Sequence, residues 1–340
     1  MSIQLSICMP IYNCAEFVGQ ALDSILPQTD EETEVIVYDG GSTDSTSSLM
    51  QAYLQIWSNL RYYRGEARGG IDADMAKCVG YARGEYIWLF SGDDVMRPSS
   101  IARLREWLRK GCDVYLCEHS ICDLNMNFLK TYPMFTPNQK LCIDLAEATS
   151  RKEWFHRACS TEPFFSYMSS LIVRREKWES GRLIEEFDGS CWGHVARLFA
   201  LIPTGLRVCY IAEVWLDMRS GNDSFLDKGV VNRYSIAIDG YHKIANTFFG
   251  HDSEEAFHMR RVIRREFTLP MFYYAKALCK RNPQVESIEK LDALAQKIWS
   301  DDSLSEQFYY AAYKLRGWMY EFVRFMCRCW FFVRLRLIQR

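Results

Sequence analysis

The 340-residue sequence has almost no surplus of either charge: 41 Lys and Arg stand against 43 Asp and Glu, a formal −2. Proteins that grip nucleic acid usually show a strongly basic balance, so that class drops out early. Long apolar runs are missing too, and none approaches the roughly 20 residues of a membrane-spanning helix. The opening Met1-Ser2-Ile3-Gln4-Leu5 has no charged stretch followed by an apolar one, so no secretory leader is expected. Thirteen cysteines contain no Cys-x-x-Cys pair, and an odd number cannot all be bridged. The looser series Cys112, Cys117 and Cys122 does not suit zinc. Reduced, buried thiols in a cytoplasmic protein are the expectation. Internal repeats and low-complexity linkers are absent as well.

What is present is ordinary globular composition, 49% apolar and 25% charged, with a high aromatic share of 14%. Short apolar runs at 5–10, 34–38, 60–63 and 86–90 read as buried strands. Amphipathic patterns at 15–26, 45–57 and 71–83 read as the helices between them. This alternation predicts an α/β fold, a mostly parallel sheet flanked by helices. A further helix at 99–110 and strands at 113–117 and 206–210 follow, and 130–154 is less regular. Beyond residue 220 the pattern is almost wholly helical. The expected organisation is therefore 1–219, with halves 1–98 and 99–219, and a helical region 220–340.

Ligands of such sheets bind at the carboxyl ends of the strands. The first run ends Pro10-Ile11-Tyr12-Asn13, which alone is only a strand terminator and turn. The second ends Asp39-Gly40-Gly41-Ser42-Thr43-Asp44. There an acid can accept from a base or ribose, and glycines such as Gly41 let a ligand approach the backbone. Ser42 or Asp44 equally serves as a helix cap. The fourth ends Ser91-Gly92-Asp93-Asp94. Adjacent carboxylates repel each other, and a divalent cation such as Mn²⁺ or Mg²⁺, completed by a diphosphate, resolves that repulsion.

In this order and spacing, residues 10–13, 34–44, 82–87 and 91–94 resemble the family-2 glycosyltransferases of GT-A fold. The resemblance covers about 3–215. It implies a nucleotide-sugar donor bound through Pro10, Tyr12, Asn13, Asp39 and Gly41, with Asp93 and Asp94 at the metal. The family's Asp-x-Asp has Ser91 in its first place here, one carboxylate fewer. A second departure, Gly69-Gly70-Ile71-Asp72-Ala73-Asp74-Met75, resembles a subgroup that includes abequosyltransferases, which add 3,6-dideoxyhexoses to bacterial O-antigen units. Asp72 and Asp74 are then donor contacts, or simply carboxylates favoured at a helix N-terminus. Arg68 faces the diphosphate or pairs with Asp72.

Inverting transfer needs a base for the acceptor hydroxyl. The family's acidic residue at the head of a helix in the second half is missing from 187–197, which leaves His194 and Asp188. Trp192 is a sugar platform or core. The segment 219–225 resembles a loop that closes the site, with Arg219 offered to phosphate, or else starts the next helix.

Residues 315–340 hold six Arg against one Glu, leaving −7 for the remainder. Trp318, Phe322, Phe325, Met326, Cys329, Phe332 and Val333 share one helical face, with Arg316, Arg324, Arg328 and Arg334 off it. Such a helix suits a membrane surface, or else packs on the domain. The acceptor implied is a surface-polysaccharide oligosaccharide on a polyprenyl diphosphate carrier, at the inner face of the membrane. The rivals are a catalytically silent docking module and a nucleotidyltransferase. The latter's Gly-rich phosphate loop has no counterpart after the first strand.

Overall fold

The computed structural model describes residues 2–138, 140–182, 184–299 and 304–315. The basic amphipathic pattern at 316–340 lies outside the described residues. The chain forms two compact units, Met1–Gly221 and Asn222–Arg340.

The first unit is built on one ten-stranded sheet. Its strands are β1 (Leu5–Ile11), β2 (Thr33–Asp39), β3 (Leu60–Arg64), β4 (Tyr86–Leu89), β5 (Val95–Met96), β6 (Val114–Cys122), β7 (Phe128–Tyr132), β8 (Leu141–Asp144), β9 (Leu171–Arg174) and β10 (Arg207–Arg219). The order is β3-β2-β1-β4-β9-β6-β10-β5, with β7 on β6 and β8 on β10. Pairs β1–β2, β2–β3, β1–β4 and β6–β10 are parallel. Strand β9 runs antiparallel between β4 and β6, and β5, β7 and β8 are also antiparallel to their partners. Strands β1, β2 and β4 are buried at every position. That is why they read as continuous apolar runs rather than alternating ones.

Seven helices belong to this unit among the described residues: α1 (Val18–Ile25), α2 (Thr46–Leu54), α3 (Ile71–Gly80), α4 (Ser100–Leu108), α5 (Ala148–Arg157), α6 (Arg175–Ser180) and α7 (Gly193–Phe199). Helix α1 shows why the periodicity was legible: Val18, Ala21, Leu22 and Ile25 are its buried residues, one stripe at helical spacing. The predicted last strand at 206–210 continues to Arg219 through register shifts between Ile211, Val214 and Leu216. Polar Glu213 breaks the alternation there, and a bulge carries the strand past it.

One expectation about the cysteines is corrected. Cys142 and Cys209 are direct partners in the β8–β10 register and form a disulfide, whereas nine other described cysteines are free. Sixty-seven residues of chain separate the two, so their meeting has no sequence signature.

The second unit is helical: α8 (Val230–Phe249), α9 (Glu254–Glu266), α10 (Leu269–Arg281), α11 (Ile288–Ile298) and α12 (Leu304–Lys314). Among the described residues no helix is long and apolar enough to cross a membrane.

Candidate active site

Parallel strands β1, β2 and β4 end side by side, and the loops after them carry most of the expected residues. Asn13, at φ +48°, stitches two of these loops together. Its amide N–H donates to Ser42 Oγ at 2.8 Å, and its side-chain oxygen accepts the Thr43 N–H at 2.7 Å. Pro10 is inside β1, buried and paired in register with Tyr38. Gly41 has φ +84°, and a Cβ there would come within 3.1–3.2 Å of Glu66 and Ala67 backbone atoms. Only glycine meets both conditions.

Asp39 is fully buried. Its Oδ1 accepts the Ser42 N–H at 2.7 Å and its Oδ2 the Tyr62 hydroxyl at 2.6 Å, with Arg64 Nε at 3.7 Å. Tyr62, one of two adjacent tyrosines on the outer strand β3, has no local signature that would mark it. Above this floor, the Arg68 guanidinium stacks 4.4 Å from the Tyr12 ring centroid. Such a pair desolvates one face of each and makes a flat, cationic platform.

Helix α3 starts at this cluster and carries two buried carboxylates in its first turn. They face different neighbours, as residues two apart on a helix must. Asp74 lies under the nucleotide loops. It accepts the Gly69 N–H at 3.3 Å, and a Cβ on Gly40 would strike its Oδ2 at 2.6 Å. Burial raises its pKa, against the Gly69 N–H and the charges of Lys77 and Arg68. Asp72 points instead to the segment entering α7, accepting the Cys191 N–H at 2.8 Å and the Gly193 N–H at 3.1 Å. Burial raises its pKa, and the charge of nearby Asp188 adds to that against the two N–H donors. Both its oxygens therefore anchor the backbone of the segment entering α7.

The Asp93–Asp94 pair is resolved by division of labour. Asp94 is 2% exposed and accepts the hydroxyls of Tyr167 and Ser169 on Oδ2 and the Arg219 N–H on Oδ1. Burial, together with the Asp93 charge, pushes its pKa up to about 7. Both Asp94 oxygens thus take hydrogen bonds from the protein interior. Asp93 is partly exposed and accepts the Ser91 hydroxyl. One carboxylate with a neighbouring hydroxyl fits a Mg²⁺- or Mn²⁺-type ion, which takes its remaining oxygens from a diphosphate and water. The described residues place no three carboxylates together. Their one close group of three ligand types, Cys112, Cys142 and Cys209, lies at the other end of the sheet and contains the disulfide.

Arg219 also departs from expectation. It ends β10, is buried, and gives its guanidinium N–H groups to the carbonyls of Asp93 and Leu124 and to Gln20 Oε1, with Phe17 at 4.8 Å beneath it. It braces the metal-motif turn with three of its five N–H donors.

Of the two candidate bases, His194 is 7% exposed, and its Nε2–H donates to the Phe165 carbonyl at 3.0 Å while Nδ1 has no partner. Burial lowers its pKa to about 4 despite the carbonyls of Phe165 and Ser166. The ring is thus enclosed, with one nitrogen committed to the Phe165 carbonyl. Asp188 is exposed, on the segment leading into α7. Trp192 is buried, on the core side of its two readings.

Residues 6–170 match the model for "Glycosyl transferase family 2". Among curated proteins the chain is 30% identical over 262 residues to the abequosyltransferase RfbV of Salmonella typhimurium, covering 72% of this chain and 75% of that enzyme. It is 24% identical over 193 residues to the glycosyltransferase GlyG of Streptococcus pneumoniae, 55% of this chain and 63% of that one. In fold it resembles S. aureus TarS 1-349, solved with UDP-GlcNAc, at TM-score 0.56 and 17% identity over 92% and 90% of the two chains. The mannosyltransferase PcManGT of Pyrobaculum calidifontis, solved with GDP-Man and Mn²⁺, gives TM-score 0.53 and 14% identity over 92% and 84%.

Proposed function

The chain belongs to glycosyl transferase family 2, a glycosyltransferase of GT-A fold, and on that premise we propose that it transfers a 3,6-dideoxyhexose from a CDP-sugar to an oligosaccharide acceptor of surface-polysaccharide synthesis. The observation that carries the donor site is the meeting of Tyr12–Arg68, Asp39–Asp74 and Asp93 at the ends of strands β1 to β4. The donor sugar rests on the 30% identity to an abequosyltransferase and on the resemblance of Gly69–Met75 to that subgroup's pattern.

Tyr12 and Arg68 take the base and the adjoining phosphate, and Asp74 faces the ribose or sugar hydroxyls. Asp93 and Ser91 hold a divalent cation, which when bound neutralises charge on the departing diphosphate. Asp188 accepts the proton of the acceptor hydroxyl as it attacks the anomeric carbon in a single displacement, and Asp72 fixes the backbone that carries it. The acceptor is carried on a polyprenyl diphosphate at the cytoplasmic face of the membrane. The six arginines of 315–340 support attachment there.

The test is thermal stabilisation by CDP, UDP, GDP and dTDP, with and without Mn²⁺ or Mg²⁺. A ligand at 100 times its dissociation constant adds roughly 2.7 kcal/mol to the folded state. CDP with metal should stabilise most, and Asp93→Asn should remove the metal-dependent part. Preference for another nucleotide would redirect the donor. No shift with any nucleotide would overturn the site.

A further inference from the structure

The helical unit encloses a cation that makes no ion pair with any described residue. Helices α8, α9 and α11 pack on one another and bring His242, Arg260, Arg264 and Lys297 within electrostatic reach of each other. Arg260 and Arg264 lie one turn apart on α9 and so share a face. Two of the cations are compensated: Lys297 pairs with Asp239, and Arg264 Nε lies 2.9 Å from Glu306 Oε1. Arg260 is not. It is 7% exposed, its Nε and Nη1 have no hydrogen-bond partner, and no ion pair reaches its guanidinium among the described residues. His242 Nε2 is likewise buried without a partner. Burial and the surrounding cations hold His242 at a pKa of about 4, so it stays neutral and can accept or donate a hydrogen bond. The carboxylate whose field reaches Arg260, Asp252, is almost fully exposed and already bonded to His251.

A buried guanidinium is almost always paired, because leaving one uncompensated is strongly unfavourable. Among the described residues, two of these three permanent cations are ion-paired, and Arg260 has only the exposed Asp252 within its field. We propose that Arg260, with His242, forms an oxyanion-binding site inside the helical unit whose ligand is a phosphate group. Phosphate fits because one negative charge meets Arg260, its oxygens match the guanidinium's planar donors, and a further oxygen can take a hydrogen bond from His242. The donor-site residues all lie between positions 10 and 188, so this site stands or falls independently of the proposed reaction.

Phosphate reaches such a site either free in solution or on a lipid headgroup, and the experiment separates the two. The full-length chain is melted in EDTA at constant ionic strength with increasing inorganic phosphate, as wild type, Arg260→Met and Asp93→Asn. In parallel it is sedimented with phosphatidylglycerol or phosphatidylcholine vesicles. The midpoint of wild type and Asp93→Asn should climb with the logarithm of phosphate concentration, and that of Arg260→Met should stay flat. Without phosphate, Arg260→Met should melt no lower than wild type, since it removes an unpaired buried charge. A response confined to phosphatidylglycerol vesicles and lost in Arg260→Met assigns the phosphate to a headgroup. Two results would overturn the site: equal responses of Arg260→Met and wild type, or no response from either with Arg260→Met melting lower.

Discussion

Asp72 Oδ1 accepts the backbone N–H of Gly193, tying the first turn of α3 to the head of α7 across 121 residues of sequence. Its other oxygen holds Cys191, which sits at φ +72°. One carboxylate thus fixes a strained stretch of backbone directly after Asp188.

Replacing Asp72 by Asn should therefore loosen that stretch. The amide accepts from one N–H but turns its own donors toward the other, a loss of about 1–3 kcal/mol. Hydrogen exchange should show the Cys191 and Gly193 amides losing protection first, with kcat falling more than the donor KM changes.

The two candidate bases separate cleanly by substitution. His194→Gln keeps a donor for the Phe165 carbonyl and should leave kcat within a few-fold of wild type. Asp188→Asn should lower kcat by roughly 10²–10⁴, the usual contribution of a positioned base. Steady-state kinetics with the CDP-sugar checks both, and a large loss in His194→Gln without unfolding would return the role to the histidine.

Acid sensitivity has a named source. His119, stacked between Tyr132 and Tyr167, is buried, which lowers its pKa from 6.5 to about 4, with Lys130 adding to the effect. A histidine whose folded pKa is depressed gives stability that is present above about pH 6.5 and lost as pH falls toward 4. The full loss for one such ring is about 3 kcal/mol. His119→Phe suits the aromatic surroundings. It should match wild type at pH 7.5 in urea unfolding and lose less stability between pH 6.5 and 4.

Arg219 makes a stability prediction rather than a binding one. Arg219→Met leaves the Asp93 and Leu124 carbonyls without their donor, for roughly 3 kcal/mol of destabilisation. Arg219→Lys should recover little of it, because an ammonium cannot span the same fork of acceptors. Chemical denaturation distinguishes the two substitutions.

The nucleotide half was legible because its strands are buried on both faces and its helices carry one apolar stripe. Tyr12, Asp39 and Asp93 lie just after strand ends, whereas Asp74, in the first turn of α3, was singled out by the resemblance of Gly69–Met75. The rest depended on contacts with no local trace. Tyr167 and Ser169, which hold Asp94, come from an irregular stretch that joins the site only because β9 inserts beside β4. The Asp93 charge read beside Asp94 does contribute to raising the Asp94 pKa. The hydroxyls that donate to Asp94 in the interior come from partners 73 and 75 residues away. Arg219 read as a loop residue because the bulge in β10 hides the strand's last turn of alternation.

Strand β9 has a consequence for the order in which the molecule is made. Its four residues fill the gap between β4 and β6, with Ile87 pairing Val173 and Val114 pairing that same residue from the other side. On the ribosome, β1 to β4 are complete once residue 89 has emerged, yet the outer edge of β4 stays bare until residue 174 follows. Synthesis therefore passes through a long interval with an open sheet edge, the kind that recruits neighbouring chains. A nascent chain halted in that interval needs a chaperone to cover the edge that four later residues would close.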